Sequence, residues 1–166
     1  MKDKVINILK ELIPYILIII VVLLFKRYIV SPIRVNGQSM YPTLKNSDMM
    51  ILNETSYYFK DIKRFDIVVV DAKDELIIKR VIGLPGETIS YKDNTLYING
   101  KKVEEKYSYG ITDDFEPVKL KDEYFVMGDN RQNSLDSRYF GPFKKKYIRG
   151  KTNLIFLPFD RMGKIK

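Results

Sequence analysis

A mainly β fold is predicted for this chain of 166 residues: a coiled, partly barrelled antiparallel sheet over residues 31–166, carried on one N-terminal transmembrane helix within residues 1–30. Three observations predict it. The first is a charge-free apolar run, "LIPYILIIIVVLLF", from Leu12 to Phe25. The second is a succession of short runs rich in β-branched and aromatic residues after Arg34, each bounded by turn residues. The third is that this later part contains no long amphipathic helical pattern, internal repeat or low-complexity tract.

The apolar run alone is shorter than the roughly 20 residues a membrane helix needs. Apolar character continues in "VINIL" before it and "YIV" after it, and Lys26 and Arg27 can snorkel to a head-group layer. A span from Val5 or Leu9 to Phe25 or Val30 is therefore feasible. A cleaved leader would be followed by small residues of the A-x-A kind. Here "KRYIVSPIR" follows, and the only alanine in the chain is Ala72. A soluble helix of this composition would need a larger domain around it. Lys2, Lys4 and Lys10 precede the run and Lys26, Arg27 and Arg34 follow it, so the positive-inside rule leaves the orientation open.

The strand candidates are, in order, "DMMIL", "DIVVV", "ELIIKRVI", "ETISY", "TLYI", "EYFVMG" and "NLIFLPF". "GLPGE", Gly83–Glu87, puts Pro85 and Gly86 in the central positions of a type II turn. Asn99-Gly100 in "LYINGKKV" is a type I′ hairpin signal, because both central residues of that turn need positive φ. Lys101 to Asp122 is the most polar stretch and reads as loop or a small excursion.

Composition removes several kinds of chemistry. There is no cysteine and no histidine, which excludes disulfides, thiol nucleophiles and histidine bases and argues against structural zinc. No cofactor is called for. The formal net charge is +8, but residues 1–34 hold six Lys/Arg against two Asp/Glu, so half of the excess surrounds the apolar run. Positive charge there fits anionic membrane lipid rather than nucleic acid.

Three stretches could carry chemistry. "GQSMYPTL", Gly37–Leu44, sets Ser39 on a turn just after the apolar segment. With histidine absent, an activated serine needs lysine, a carboxylate or an N-terminal amine as its base. A solvated lysine is neutral in only about one molecule in 2,500 at pH 7, so a lysine base must sit among apolar side chains that lower its pKa. Lys79 in "ELIIKRVIG" has such neighbours. On a strand it shares a face with Ile77 and Val81, and Arg80 points the other way. The third stretch is "GDNRQNSLDSRYFG", Gly128–Gly141, dense in Asp, Asn, Ser and Arg. Each stretch also has a plain structural reading: a β-turn, an edge strand protected by cations, and a loop stapled by Asp136 and Arg138. A calcium loop fits poorly, since Arg131 falls where a ligand is wanted and no glutamate closes the loop.

Taken together and in this order, "GQSMYPTL", "DIVVV", "IIKRVIGLPGE" and "GDNRQNSLDSRYFG" behind one apolar segment resemble the type I signal peptidases, the membrane-bound Ser-Lys proteases that remove signal peptides from exported preproteins. The serine block alone is shared with Ser-Lys self-cleaving repressors, whereas the other blocks are more specific to signal peptidases. The resemblance implies that Ser39 is the nucleophile, Lys79 the general base, and Ser134 a hydroxyl that holds the lysine amine. It implies site-organising roles for Asp129, Asp136, Arg138 and Arg80. It implies pockets for small side chains at substrate positions −1 and −3, lined by Ile33, Val35, Met40, Leu44, Ile77 and Ile78.

Some members carry a serine two residues before the nucleophile as an oxyanion donor. Here that position is Gly37, as in the Gram-positive type, leaving the Ser39 N–H with help from the Gly37 N–H or a water. The implied partners are secretory preproteins, membrane lipid and nearby export machinery. The implied location is a cell membrane, single-pass, with the N-terminus cytoplasmic and the β domain extracytoplasmic. A non-catalytic anchored β module is the alternative; it requires no dependence on Lys79.

Overall fold

The computed structural model describes residues 10–22, 30–58, 60–73 and 75–165. Residues 10–22 form a helix, α1, whose apolar side chains are exposed, Leu12 to Val22 among them. Among the described residues no helix is long and apolar enough to cross a membrane. The remainder of the expected anchor, residues 1–9 and 23–29, lies outside the described residues. Val30, given to the anchor above, is the first residue of a strand.

Twelve strands follow among the described residues. The first four are β1 (Val30–Arg34), β2 (Met49–Asn53), β3 (Ile67–Ala72) and β4 (Glu75–Gly83). Then come β5 (Thr88–Lys92), β6 (Thr95–Ile98), β7 (Lys101–Val103), β8 (Phe115–Lys119) and β9 (Glu123–Met127). After a one-turn helix, α2 (Ser137–Phe140), the chain closes with β10 (Phe143–Lys144), β11 (Ile148–Leu157) and β12 (Gly163–Lys164). Every strand pair is antiparallel.

The larger sheet runs β1-β2-β11-β3-β4-β9-β10, with β12 added to β11. Its path ends at β1 on one side and β10 on the other, so the expected partial barrel is corrected to two open sheets. Register shifts along β11 and near the end of β4 bend the larger sheet. Closure would need matched edges and a consistent stagger, and the edge strand β10 has only two residues. The smaller sheet, β7-β6-β5-β8, is the excursion foreseen around residues 101–122, and it also takes in β5 and β6.

Turn chemistry sets the smaller sheet. Gly86 has φ 83°, as the third residue of a type II turn requires, and Asn99 and Gly100 lie at 50° and 74° in the I′ turn joining β6 to β7. A second such turn, Asp93-Asn94 at 50° and 55°, joins β5 to β6.

The central strands β3 and β4 are covered on both faces, which is why "IVVV" and "IIKRVIG" read as continuous runs rather than alternating ones. Val68, Val70, Ile77, Val81 and Val126 pack on one face. Ile67, Val69 and Ile78 pack on the other with Val35, Met40, Leu44 and Met50. A third cluster joins the two sheets, bringing Ile82, Phe125 and Met127 against Ile89, Tyr91 and Leu96.

Candidate active site

Ser39 opens a tight turn in which the Leu44 N–H donates to the Met40 carbonyl at 2.8 Å and the Tyr41 N–H to the Gln38 carbonyl at 3.1 Å. Met40 and Leu44 are buried and fasten this turn to the core, while Ser39 itself stays partly exposed. The apolar spacing of "SMYPTL" thus presents the hydroxyl at the surface with its support beneath.

Lys79 lies in the middle of β4 and is 4% exposed. Its Nζ donates to Ser39 Oγ at 2.7 Å, joining positions 40 residues apart. Burial is the main influence on the amine and pushes its pKa down from an ordinary 10.5 to about 8; Asp136 and Glu75 oppose that fall and Arg138 reinforces it. A lysine at 8 is neutral in about a tenth of molecules at pH 7. The pair therefore has the geometry and the protonation balance for a general base beside a nucleophile.

One buried and one part-buried ion pair frame this pair. Arg80, on the opposite pleat of β4, makes two hydrogen bonds to Asp129, Nε to Oδ1 at 2.8 Å and NH2 to Oδ2 at 2.6 Å. It also donates to the Phe65 carbonyl at 2.9 Å, and its guanidinium lies 3.9 Å from the Tyr107 ring centre. Asp136 caps α2, accepts the Gly128 N–H at 3.0 Å and takes three hydrogen bonds from Arg138. Burial alone would raise the Asp136 carboxyl, but the Arg138 and Gly128 hydrogen bonds outweigh it and hold the group below the usual carboxylate range.

The structure also places residues where the sequence reading had not. Among the described residues Ser134 Oγ is buried with no partner at hydrogen-bond distance, so it does not hold the Lys79 amine in this arrangement. The Gly37 N–H donates to Asn46 Oδ1 at 2.9 Å and is not free to serve an oxyanion. The Ser39 N–H donates to no acceptor among the described residues. Ile77 and Ile78 belong to clusters on opposite faces of β4, and both reach the groove that holds Ser39 and Lys79. Ile33 is half-buried against the cluster that holds Val35, Met40, Leu44 and Ile78. Val35, Met40, Ile78 and Ser39 line one groove of about 690 Å³.

A match to known proteins accords with this arrangement. The chain matches the family model described as "Signal peptidase, peptidase S26" over residues 8–157. The chain belongs to the signal peptidase S26 family. Among curated relatives, signal peptidase I S of Bacillus subtilis (strain 168) is 46% identical over 160 residues, covering 88% of this chain and 87% of the relative. A signal peptidase I of Bacillus amyloliquefaciens is 44% identical over 164 residues, covering 91% and 89%. A crystal structure of a signal peptidase I from Enterococcus faecalis V583 is 38% identical with a TM-score of 0.51, covering 55% of this chain and 97% of that chain.

Within this S26 chain, four contributors to the site had escaped the sequence reading. Thr43 Oγ1 donates to Asp129 Oδ2 at 2.5 Å. Asn130 donates its N–H to the Ser39 carbonyl at 3.0 Å and its side-chain amide to the Gln38 carbonyl at 3.1 Å. Gly128 packs so closely that a Cβ there would overlap the Ser134 side chain and the Ser39 carbonyl. Glu105, from the loop after β7, forms a buried ion pair with Arg131, which also bonds Tyr91 OH, Thr112 Oγ1 and the Gly128 carbonyl. The signal for Thr43 and Asn130 was their place in polar, glycine-punctuated loops. Nothing local marks Glu105.

Proposed function

We propose that this protein is a membrane-bound serine endopeptidase that removes N-terminal signal peptides from exported preproteins, with Ser39 as nucleophile and Lys79 as general base. The observation that carries the reading is the 2.7 Å hydrogen bond between Lys79 Nζ and Ser39 Oγ, made by a lysine that burial has brought to about 8. Membership of the signal peptidase family supports the substrate class.

The chemistry is acyl transfer. Neutral Lys79 accepts the Ser39 proton as Oγ bonds to the scissile carbonyl carbon, and the ammonium then returns that proton to the departing amine nitrogen. Lys79 next takes a proton from water, whose oxygen attacks the ester. The ester C–O bond breaks, the proton returns to Ser39 Oγ, and the signal peptide leaves as a carboxylic acid that gives its remaining proton to solvent. The Ser39 N–H is the available main-chain donor to the developing oxyanion. Arg80, Asp129, Asp136 and Arg138 tie the serine turn and the Gly128–Gly141 loop to β4, the strand that carries Lys79. Ser134 steadies the amine once a side-chain rotation brings its unpartnered hydroxyl to it.

Substrate adds as an extended strand to β4. The strand β9 pairs with β4 only from Arg80 onward, so Glu75 to Lys79 have β3 on one side and an open edge on the other. Side chains at −1 and −3 enter the apolar floor near Ile33, Val35, Met40, Leu44 and Ile78, where large or charged groups are rejected. The apolar segment around Leu12–Phe25 anchors the chain in a single pass with the β domain outside the cytoplasm, beside anionic lipid and the export machinery. The test is incubation of the purified protein with a preprotein whose signal ends in Ala-x-Ala. N-terminal sequencing is expected to place the cut directly after the second alanine; an uncut preprotein overturns the reading.

A further inference from the structure

We propose that Leu135, together with Ile77, forms a subsite for the substrate side chain at position −2 and makes this enzyme prefer an apolar residue there. The inference rests on the signal-peptide reading above. A strand added to the open edge of β4 alternates its side chains between the two faces of the sheet. If −1 and −3 enter the floor beside Ile78, Val35 and Met40, then −2 lies on the opposite face, the face of Ile77 and Val81.

Leu135 fills that side. It lines the same groove as Ile77 and Ser39, and 58% of it is exposed. It arrives from the β9 side: Ser137 Oγ accepts the Val126 N–H at 2.9 Å, and Val126 packs in the cluster of Ile77 and Val81. Its backbone is held, because the next residue, Asp136, is wholly buried and bonded to Gly128 and Arg138. Exposed leucines are ordinary on protein surfaces. This one is fixed at the rim of a groove beside the lysine, with an apolar neighbour on the strand that binds substrate. A −2 side chain there covers apolar surface on both residues.

The test uses the purified full-length enzyme and peptide substrates with alanine at −1 and −3 that carry leucine, glycine or glutamate at −2, with a further pair differing only in alanine or valine at −1. Wild type is expected to favour leucine in kcat/KM by about fivefold, a fraction of the selectivity a closed pocket provides. Leu135→Ala is expected to reduce that ratio to below about twofold while leaving the ratio between alanine and valine at −1 unchanged. Leu135→Lys is expected to reverse the choice toward glutamate at −2. An unchanged −2 ratio in both variants, or parallel losses in the −1 and −2 ratios, overturns the subsite while the peptidase reading stands. Failure of wild type to cleave any of the peptides overturns both together.

Discussion

Thr43 and Asp129 are joined by a 2.5 Å hydrogen bond across 86 positions of the chain, and the same Asp129 oxygen accepts Arg80 NH2 at 2.6 Å. One carboxylate therefore links the serine turn to the strand of the lysine. Thr43→Val keeps the shape and removes the bond, at a cost of about 2 kcal/mol for a charge-assisted hydrogen bond. Thermal unfolding should fall by about 4–8 °C, and kcat should fall more than KM rises, because the turn loses its register against Lys79. A variant with wild-type Tm and kcat would show that this bond does not position the serine.

Ser39→Ala and Lys79→Ala are each expected to abolish cleavage, with the double variant no worse than either single one. Two residues acting as one unit give losses that do not add. Single-turnover assays on folded variants check this, and measurable activity in either would remove the assignment.

Activity should fall tenfold per pH unit on the acid side, with a midpoint near the Lys79 value of about 8. Ile77→Asp, which adds a carboxylate on the pleat of Lys79, should move that midpoint upward by favouring the ammonium. Lys79→Arg should be inactive because guanidinium does not release its proton. A profile flat from about pH 6 to 9 with chemistry rate-limiting would exclude Lys79 as the base.

The same shift has a cost in stability, with a definite sign. The folded state lowers the Lys79 value from 10.5 to about 8, so below 8 the ammonium is carried buried and the fold bears the full penalty. The penalty fades as pH rises from 8 to 10.5, where the unfolded chain still binds the proton and the folded one has lost it. At pH 7 it amounts to about 3 kcal/mol. Lys79→Met should therefore raise Tm at pH 7, and its advantage should shrink as the pH approaches 10. Equal gains at both values, measured by calorimetry, would contradict the burial effect.

Gly128→Ala tests the closeness of the two active-site loops. The new methyl overlaps the Ser39 carbonyl and the Ser134 side chain, so the serine turn must shift. Loss of most activity is expected, since displacement of about 1 Å can cost a hundredfold, accompanied by a lower Tm. Wild-type kinetics would mean that the turn and loop separate freely.

Local pattern carries the mainly β class, the apolar N-terminal segment, the turns at Pro85-Gly86 and Asn99-Gly100, and three stretches able to hold chemistry, while only the family resemblance drew those stretches together. That pattern consists of β-branched runs, positive φ at fixed offsets, and one lysine among aliphatic neighbours. Tertiary structure alone decided that the sheets stay open, because edge meeting depends on bulges and tilt along β11 and β4. It decided that the Gly37 N–H is engaged by Asn46 and that Ser134 Oγ has no hydrogen-bond partner among the described residues. It also decided that Glu105, in a polar stretch with no periodicity, braces Arg131 from the second sheet. Such partners lie far apart along the chain, and their pairing follows from how the sheets pack, which no local periodicity encodes.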